Sequence, residues 1–284
     1  MSRRLRLLSP LFATAILLSG SLSEYASAGA LPRIASMNLC TDQLLLPLAD
    51  PAQILGLSRF SRDASQSGLA DDSRRYPVLS GGAEDLLVLK PDVVVASLFD
   101  KRSTRELLKE QGLHVVEFAV PRNLGEVKDQ IREMGEIAGH SERASAQIAR
   151  LDAAMARART AVADSHYRVL QVSRRGWVSG RDSLIGSLLT STGLFNATTD
   201  LGLGEGGFAT LEDILRAKPD FLLVSRPGDI ARDNGEAFLL HPALERFYPP
   251  NKRMVIPERL TGCGSAMLAD ALDVLTAELR RVSR

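Results

Sequence analysis

Glu84-Asp85-Leu86-Leu87-Val88-Leu89-Lys90-Pro91-Asp92-Val93-Val94-Val95-Ala96-Ser97 returns 128 residues later as Glu212-Asp213-Ile214-Leu215-Arg216-Ala217-Lys218-Pro219-Asp220-Phe221-Leu222-Leu223-Val224-Ser225. The Glu-Asp pair, Leu87 and Leu215, Lys-Pro-Asp and the closing Ser are identical, and two aliphatic stretches are similar. A match of this length reads as a structural repeat. Both copies carry the same local physics. An acidic pair opens a short helix, where negative charge complements the N-terminal dipole. Lys-Pro ends it, because Pro cannot continue a helix and restricts the residue before it. Asp then turns the chain into an aliphatic run, apolar on both faces, that reads as a buried parallel strand.

Each copy lies in a wider strand–helix alternation. In the first half, strands are expected at Arg33–Met37, Gln53–Leu57, Val93–Ser97 and His114–Val120. Thr41-Asp42 can cap the helix after the first strand, and a helix over Ser103–Gln111 closes at Gly112. In the second half, strands are expected at Val169–Ser173 and Phe221–Val224, with a helix at Asp182–Ser191. Such alternation argues for parallel sheets covered by helices. Between the halves, Ser141–Ala163 holds no Gly or Pro and is rich in helix formers. Ser141 can cap it, and at about 1.5 Å per residue it would be roughly 35 Å long. A rod of this kind between two similar lobes permits only limited relative motion. The expected fold is therefore α/β, with two Rossmann-like lobes of parallel sheet joined by one long interlobe helix. The expected segments are 29–139, 140–165 and 166–284.

The first 28 residues read as a signal peptide. Arg3, Arg4 and Arg6 form a positive start, and Leu7–Leu22 is apolar but broken by Pro10, Ser19 and Gly20. Ala26-Ser27-Ala28 supplies a small-x-small cleavage pattern. The apolar run falls short of the roughly 20 residues a bilayer span needs. Both the general secretory and twin-arginine routes stay open, the first favoured because Arg6 stands where the second prefers Phe. The expected location is the periplasm. Removing three Arg and Glu24 takes the formal charge from +1 to −1, which argues against nucleic acid as a partner.

In order and spacing, several segments together resemble the class III periplasmic binding proteins for cobalamin, haem and ferric siderophores. These are Arg33-Ile34-Ala35-Ser36, Ile54-Leu55-Gly56-Leu57-Ser58, Glu84–Val95, Gly176-Trp177-Val178-Ser179-Gly180, Gly193-Leu194-Phe195-Asn196, Glu212–Leu223 and His241-Pro242-Ala243-Leu244. The resemblance implies a ligand held between two lobes and delivery to the permease dimer and ATPase subunits of an ABC importer. It also implies that Glu84 and Glu212 dock on permease arginines. Two carboxylates in pseudo-twofold positions suit a symmetric partner. The protein itself is expected to be a monomer without an intrinsic cofactor or metal, and not an enzyme.

Loops after strand C-termini should line the cleft. They supply Arg59, Phe60, Arg62, Phe99, Arg174, Trp177 and Arg226, with Phe208 just before the second acidic block. Rings stack on a macrocycle or catecholate, and guanidinium groups hold anionic oxygens. The resemblance places an aromatic of the cobalamin binders at Trp177. On this reading the ligand is a metal chelate. A ferric siderophore is preferred for its match to the arginines, with a corrinoid as the alternative. Cys40 and Cys263 fall near the same region, as a bridge, as two free thiols or, least favoured, as metal ligands. Two other functions compete: a periplasmic chelate-processing enzyme and a sensory receptor of the same fold. Against the enzyme, His114, His140, His166 and His241 have no partners at a diagnostic spacing. The Gly-rich stretch Leu201–Gly207 lacks a dinucleotide-loop pattern and reads as a flexible cleft loop.

Overall fold

A computed structural model describes residues 30–163, 165–226 and 235–283. The expected signal peptide lies outside the described residues. The first half runs β1 (Ile34–Ser36), α1 (Leu39–Leu45), β2 (Ile54–Gly56), α2 (Ala70–Ser73), α3 (Ala83–Leu89), β3 (Val93–Ser97), α4 (Arg102–Glu110), β4 (Val115–Phe118), α5 (Leu124–Ala138) and α6 (Ser141–Val162). The second runs β5 (Arg168–Gln171), β6 (Trp177–Ser179), α7 (Leu184–Thr192), β7 (Phe195–Asn196), β8 (Gly206–Phe208) and α8 (Leu211–Ala217). It ends with β9 (Phe221–Val224), α9 (Pro242–Phe247), β10 (Arg253–Val255), α10 (Glu258–Thr261) and α11 (Leu268–Val282).

The two main sheets have one topology. The first is ordered β2-β1-β3-β4 and the second β7-β5-β9-β10, every pairing parallel. The quoted repeat supplies the third strand of each and the helix before it. Both helices end on a lysine in left-handed conformation, Lys90 (φ 48°) and Lys218 (φ 45°), because the following Pro forbids another helical turn. The Asp after that Pro then latches the neighbouring strand. The Asp92 carboxylate accepts from the Arg33 backbone N–H at 2.7 Å, and Asp220 accepts from that of Arg168 at 2.8 Å. Arg33 and Arg168 in turn donate to the last helical carbonyls, Lys90 O and Ala217 O. One short sequence thus stops the helix and fixes the strand register.

Strand alternation divides the core. Val93 and Val95 of β3, and Phe221 and Leu223 of β9, face one cluster that runs through both halves. Val94 and Ala96 face a separate cluster under α3 and α4, while Leu222 and Val224 face its counterpart in the second half. Helix α6 joins the halves by burying Ala144, Leu151, Ala154, Met155, Ala158 and Val162 along one stripe. This stripe packs on α5 of the first half and on α7 and α11 of the second.

Two expected caps differ. Helix α1 begins at Leu39, where the Asn38 side chain accepts from Cys40 N–H at 2.8 Å. Thr41 and Asp42 therefore lie inside the helix and are buried. Ser141 is the first residue of α6 and does not cap it; His140 holds the cap position and turns its ring to Gln53 and Asp50. The stretch Leu201–Gly207 is also more ordered than expected. Its end enters β8, which pairs antiparallel with β6. Glycine is required at this crossing, since a Cβ on Gly180 would sit 2.0 Å from the Gly204 carbonyl oxygen, and Gly206 has φ +124°.

Candidate functional site

A cleft of about 740 Å³ opens at the C-terminal ends of the first sheet. Asn38 follows β1, Ser97–Phe99 close β3, and Phe118–Arg122 close β4. The opposite wall comes from Asp182–Leu184 at the start of α7 and from Glu205 before β8, and Thr261–Gly264 complete it between α10 and α11. Open parallel sheets bind ligands at this end because the loops there are free to diverge while the strands hold them in place.

The loops of the first half are cross-linked. Asn38 Nδ2 donates to Asp100 Oδ1 at 3.2 Å, and Asp100 Oδ2 accepts from Ser97 N–H at 2.8 Å. The Asp100 N–H donates back to the Ser97 carbonyl. This tight turn presents Phe99, which is 81% exposed, as a cleft-lining residue. An apolar ring held in water on a rigid turn is available for stacking.

A disulfide joins Cys40 on α1 to Cys263 in the wall, with Cα atoms 5.1 Å apart, and both residues line the cleft. Beside it, Ser265 Oγ donates to Gln43 Oε1 at 3.2 Å, a second tie between α1 and the last segment. Two residues further into α1 than Cys40, Asp42 is fully buried. Its carboxylate accepts from Ser58 N–H at 3.1 Å and from Ser58 Oγ at 2.5 Å. Burial pushes this carboxyl up to about 7, outweighing the bonds from Ser36 and Ser58, and Asp100 raises it further. Across the cleft, Arg122 Nη1 meets Glu205 Oε1 at 3.5 Å, so one ion pair connects the end of β4 with the loop before β8.

Of the eight residues expected to bind ligand, Phe99 lines this cleft and the other seven are not among its lining residues. Trp177 and Phe208 face each other across β6 and β8, with rings edge to face and centroids 5.1 Å apart. Both are exposed, at 39% and 65%. Phe208 lines a separate cavity of about 550 Å³ on the second half, where Arg168 pairs with Asp200 and Arg216 with Asp213. Arg62 donates to the carbonyls of Tyr76 and Arg74, which makes it a brace for its own loop. Arg59 lies over the Phe60 ring. Arg174 opens the tight turn before β6, and Arg226 follows β9. Glu84 and Glu212 are both exposed in the first turns of α3 and α8.

The cleft residues missed from sequence are mainly Val120, Pro121 and Arg122, together with Asp182–Leu184. The expected strand His114–Val120 includes Val120, but β4 stops at Phe118. The Val-Pro pair was the available signal, since the residue before Pro leaves regular structure easily. Among the described residues, no group of three or more His, Cys, Asp or Glu side chains could hold a metal ion. No described helix is long and apolar enough to cross a membrane.

Comparison with known proteins places this geometry. A family model described as periplasmic binding protein matches residues 34–249. A cobalamin-binding protein of Halobacterium salinarum, present in two strains, is 24% identical over 207 residues, covering 69% of this chain and 54% of that protein. The chain thus spans about half the length of the curated relatives it matches. Among solved structures, the periplasmic heme-binding protein RhuT from Roseiflexus sp. RS-1 superimposes with TM-score 0.69 at 20% identity, covering 89% of this chain and 99% of that one. The siderophore-binding protein BauB, bound to two molecules of acinetobactin and ferric iron, gives 0.67 at 18% identity, covering 89% and 93%. These likenesses show a shared fold.

Proposed function

We propose a function from one premise: this chain belongs to the periplasmic binding protein family. It captures a metal chelate in the cleft between its two halves and delivers it to the permease dimer of an ABC importer, without chemical change to the cargo. The observation that carries this reading is that two halves built on topologically identical sheets both contribute loops to the lining of one cleft. The relatives known to bind cobalamin, heme or a ferric siderophore support a metal chelate as the cargo class. The cleft volume suits a ligand that is only partly engulfed. Phe99, 81% exposed on its turn in the cleft lining, offers flat apolar surface to such a ligand.

Delivery rests on Glu84 and Glu212. They occupy equivalent places in the two copies of the repeat, each at a helix start and each exposed. A permease pair with a matching arginine on each subunit would read both. The double substitution Glu84→Lys and Glu212→Lys should leave chelate affinity unchanged and abolish uptake in whole cells. Normal uptake by that variant would refute the docking role.

A further inference from the structure

We infer that the cleft selects chelates that carry no net negative charge and offer a broad apolar face. The inference rests on the receptor reading and narrows its ligand. Among the described lining residues, the charged side chains are Arg122, Asp182 and Glu205. That is one cation against two carboxylates, and the cation already faces Glu205 at 3.5 Å. Much of the remaining lining is apolar, with Leu44, Leu98, Phe99, Phe118, Val120 and Leu184 on its walls.

An anionic chelate needs guanidinium or ammonium partners, because a carboxylate or catecholate oxygen taken from water without one is strongly penalised. Arg181, beside the lining, is already paired with Asp182 at 3.5 Å. Arg62 is bonded to two backbone carbonyls, and Arg59 lies over Phe60, outside the lining. The two helix starts at the cleft are also occupied. Asn38 Oδ1 accepts from Cys40 N–H at the start of α1, and Ser183 Oγ accepts from Gly186 N–H at the start of α7. Beneath the lining, Asp42 has serine partners and no cation. A ligand that brings negative charge into this cleft must therefore break the Arg122–Glu205 pair or sit against Asp182 and Glu205. A ligand rimmed with amides or hydroxamates meets neither obstacle and can accept from or donate to the same groups.

The test is calorimetric titration of the mature chain with four probes: cyanocobalamin, an uncharged ferric trihydroxamate, haemin and ferric tris(catecholate). At least one uncharged probe should bind about tenfold or more tightly than either anionic one. Asp182→Asn with Glu205→Gln, both at exposed positions, should strengthen anionic binding about tenfold and so raise the ratio of anionic to uncharged affinity. If an anionic probe binds best in the unaltered chain, the inference is overturned while the receptor reading stands. If the double substitution leaves anionic binding unchanged, the role given to the carboxylates is overturned. If none of the four probes binds, the receptor reading itself fails.

Discussion

The first and second halves of this molecule share a skeleton and differ in what they hang on it. Both have four parallel strands in one order, a lysine in left-handed conformation ending the helix before the third strand, and an Asp latching the neighbouring strand. The second half adds the β6–β8 ribbon with its Trp177–Phe208 pair. The first half instead buries a carboxyl, Asp42, below the cleft. The caps also differ: Thr210 forms a full capping box with Asp213, while the equivalent Gly82 has no side chain to offer. What is common lies where the sheets are built. What differs lies at the loops and caps, which is where two copies of one unit can take separate tasks.

The largest effect should test the shared skeleton. Leu86 and Ile214 are equivalent in the repeat, and both are buried, at 1% and 0%. Truncating either to Ala should cost about 2–5 kcal/mol through lost burial and a residual cavity. Because the central core runs through both halves along α6, urea unfolding of each variant should remain a single transition. Two separated transitions would show that the halves unfold independently.

Next comes the feature with no counterpart. Asp42 is the one carboxylate among the fully buried polar residues described. Its pKa is raised from 3.8 to about 7, so the native state holds its proton longer than the unfolded chain. Its contribution therefore lowers stability as pH rises from about 4 to about 7 and is constant outside that window, with an upper bound of about 4 kcal/mol. Asp42→Asn should flatten the stability profile across this window, as read by urea midpoints at several pH values. A profile that falls as steeply in the variant would remove Asp42 as its source.

The fold was legible in sequence wherever a local rule suffices. Lys-Pro-Asp followed by an aliphatic run dictates helix stop, turn and buried strand without help from elsewhere, and it did so twice. Helix α6 was legible for the same reason, since 22 residues without a breaker have few alternatives. What was not legible depends on distant partners. Gly206–Phe208 becomes a strand because Trp177–Ser179 lies beside it, and nothing in a glycine-rich stretch announces that pairing. Helix α5 was readable but passed over, although Asn123 caps it and Gly139 ends it at φ +73°. The cleft was half legible. Phe99 and the two cysteines follow from their place after strands or before the last helix. The arginines did not gather there, because a cation on a loop past a strand can as easily brace that loop, as Arg62 does six residues after β2.

The smallest effect concerns the caps. Thr210→Ala should destabilise by about 1 kcal/mol, since it leaves the Asp213 N–H without its acceptor. Gly82→Ser should move stability the other way by a few tenths of a kcal/mol. Equal responses at both sites, measured by urea midpoints, would mean that the helix starts are more alike than the bonds around them.

The central claim is that the cleft between two equivalent halves is where the cargo sits. It is tested most directly by the visible spectrum and metal content of the protein purified from its source cells, beside a Val120→Trp variant that fills the cleft from an exposed position. One chelate per chain in the unaltered protein, lost in the variant, is the predicted result. Equal chelate content in both proteins would place the cargo elsewhere and contradict the account.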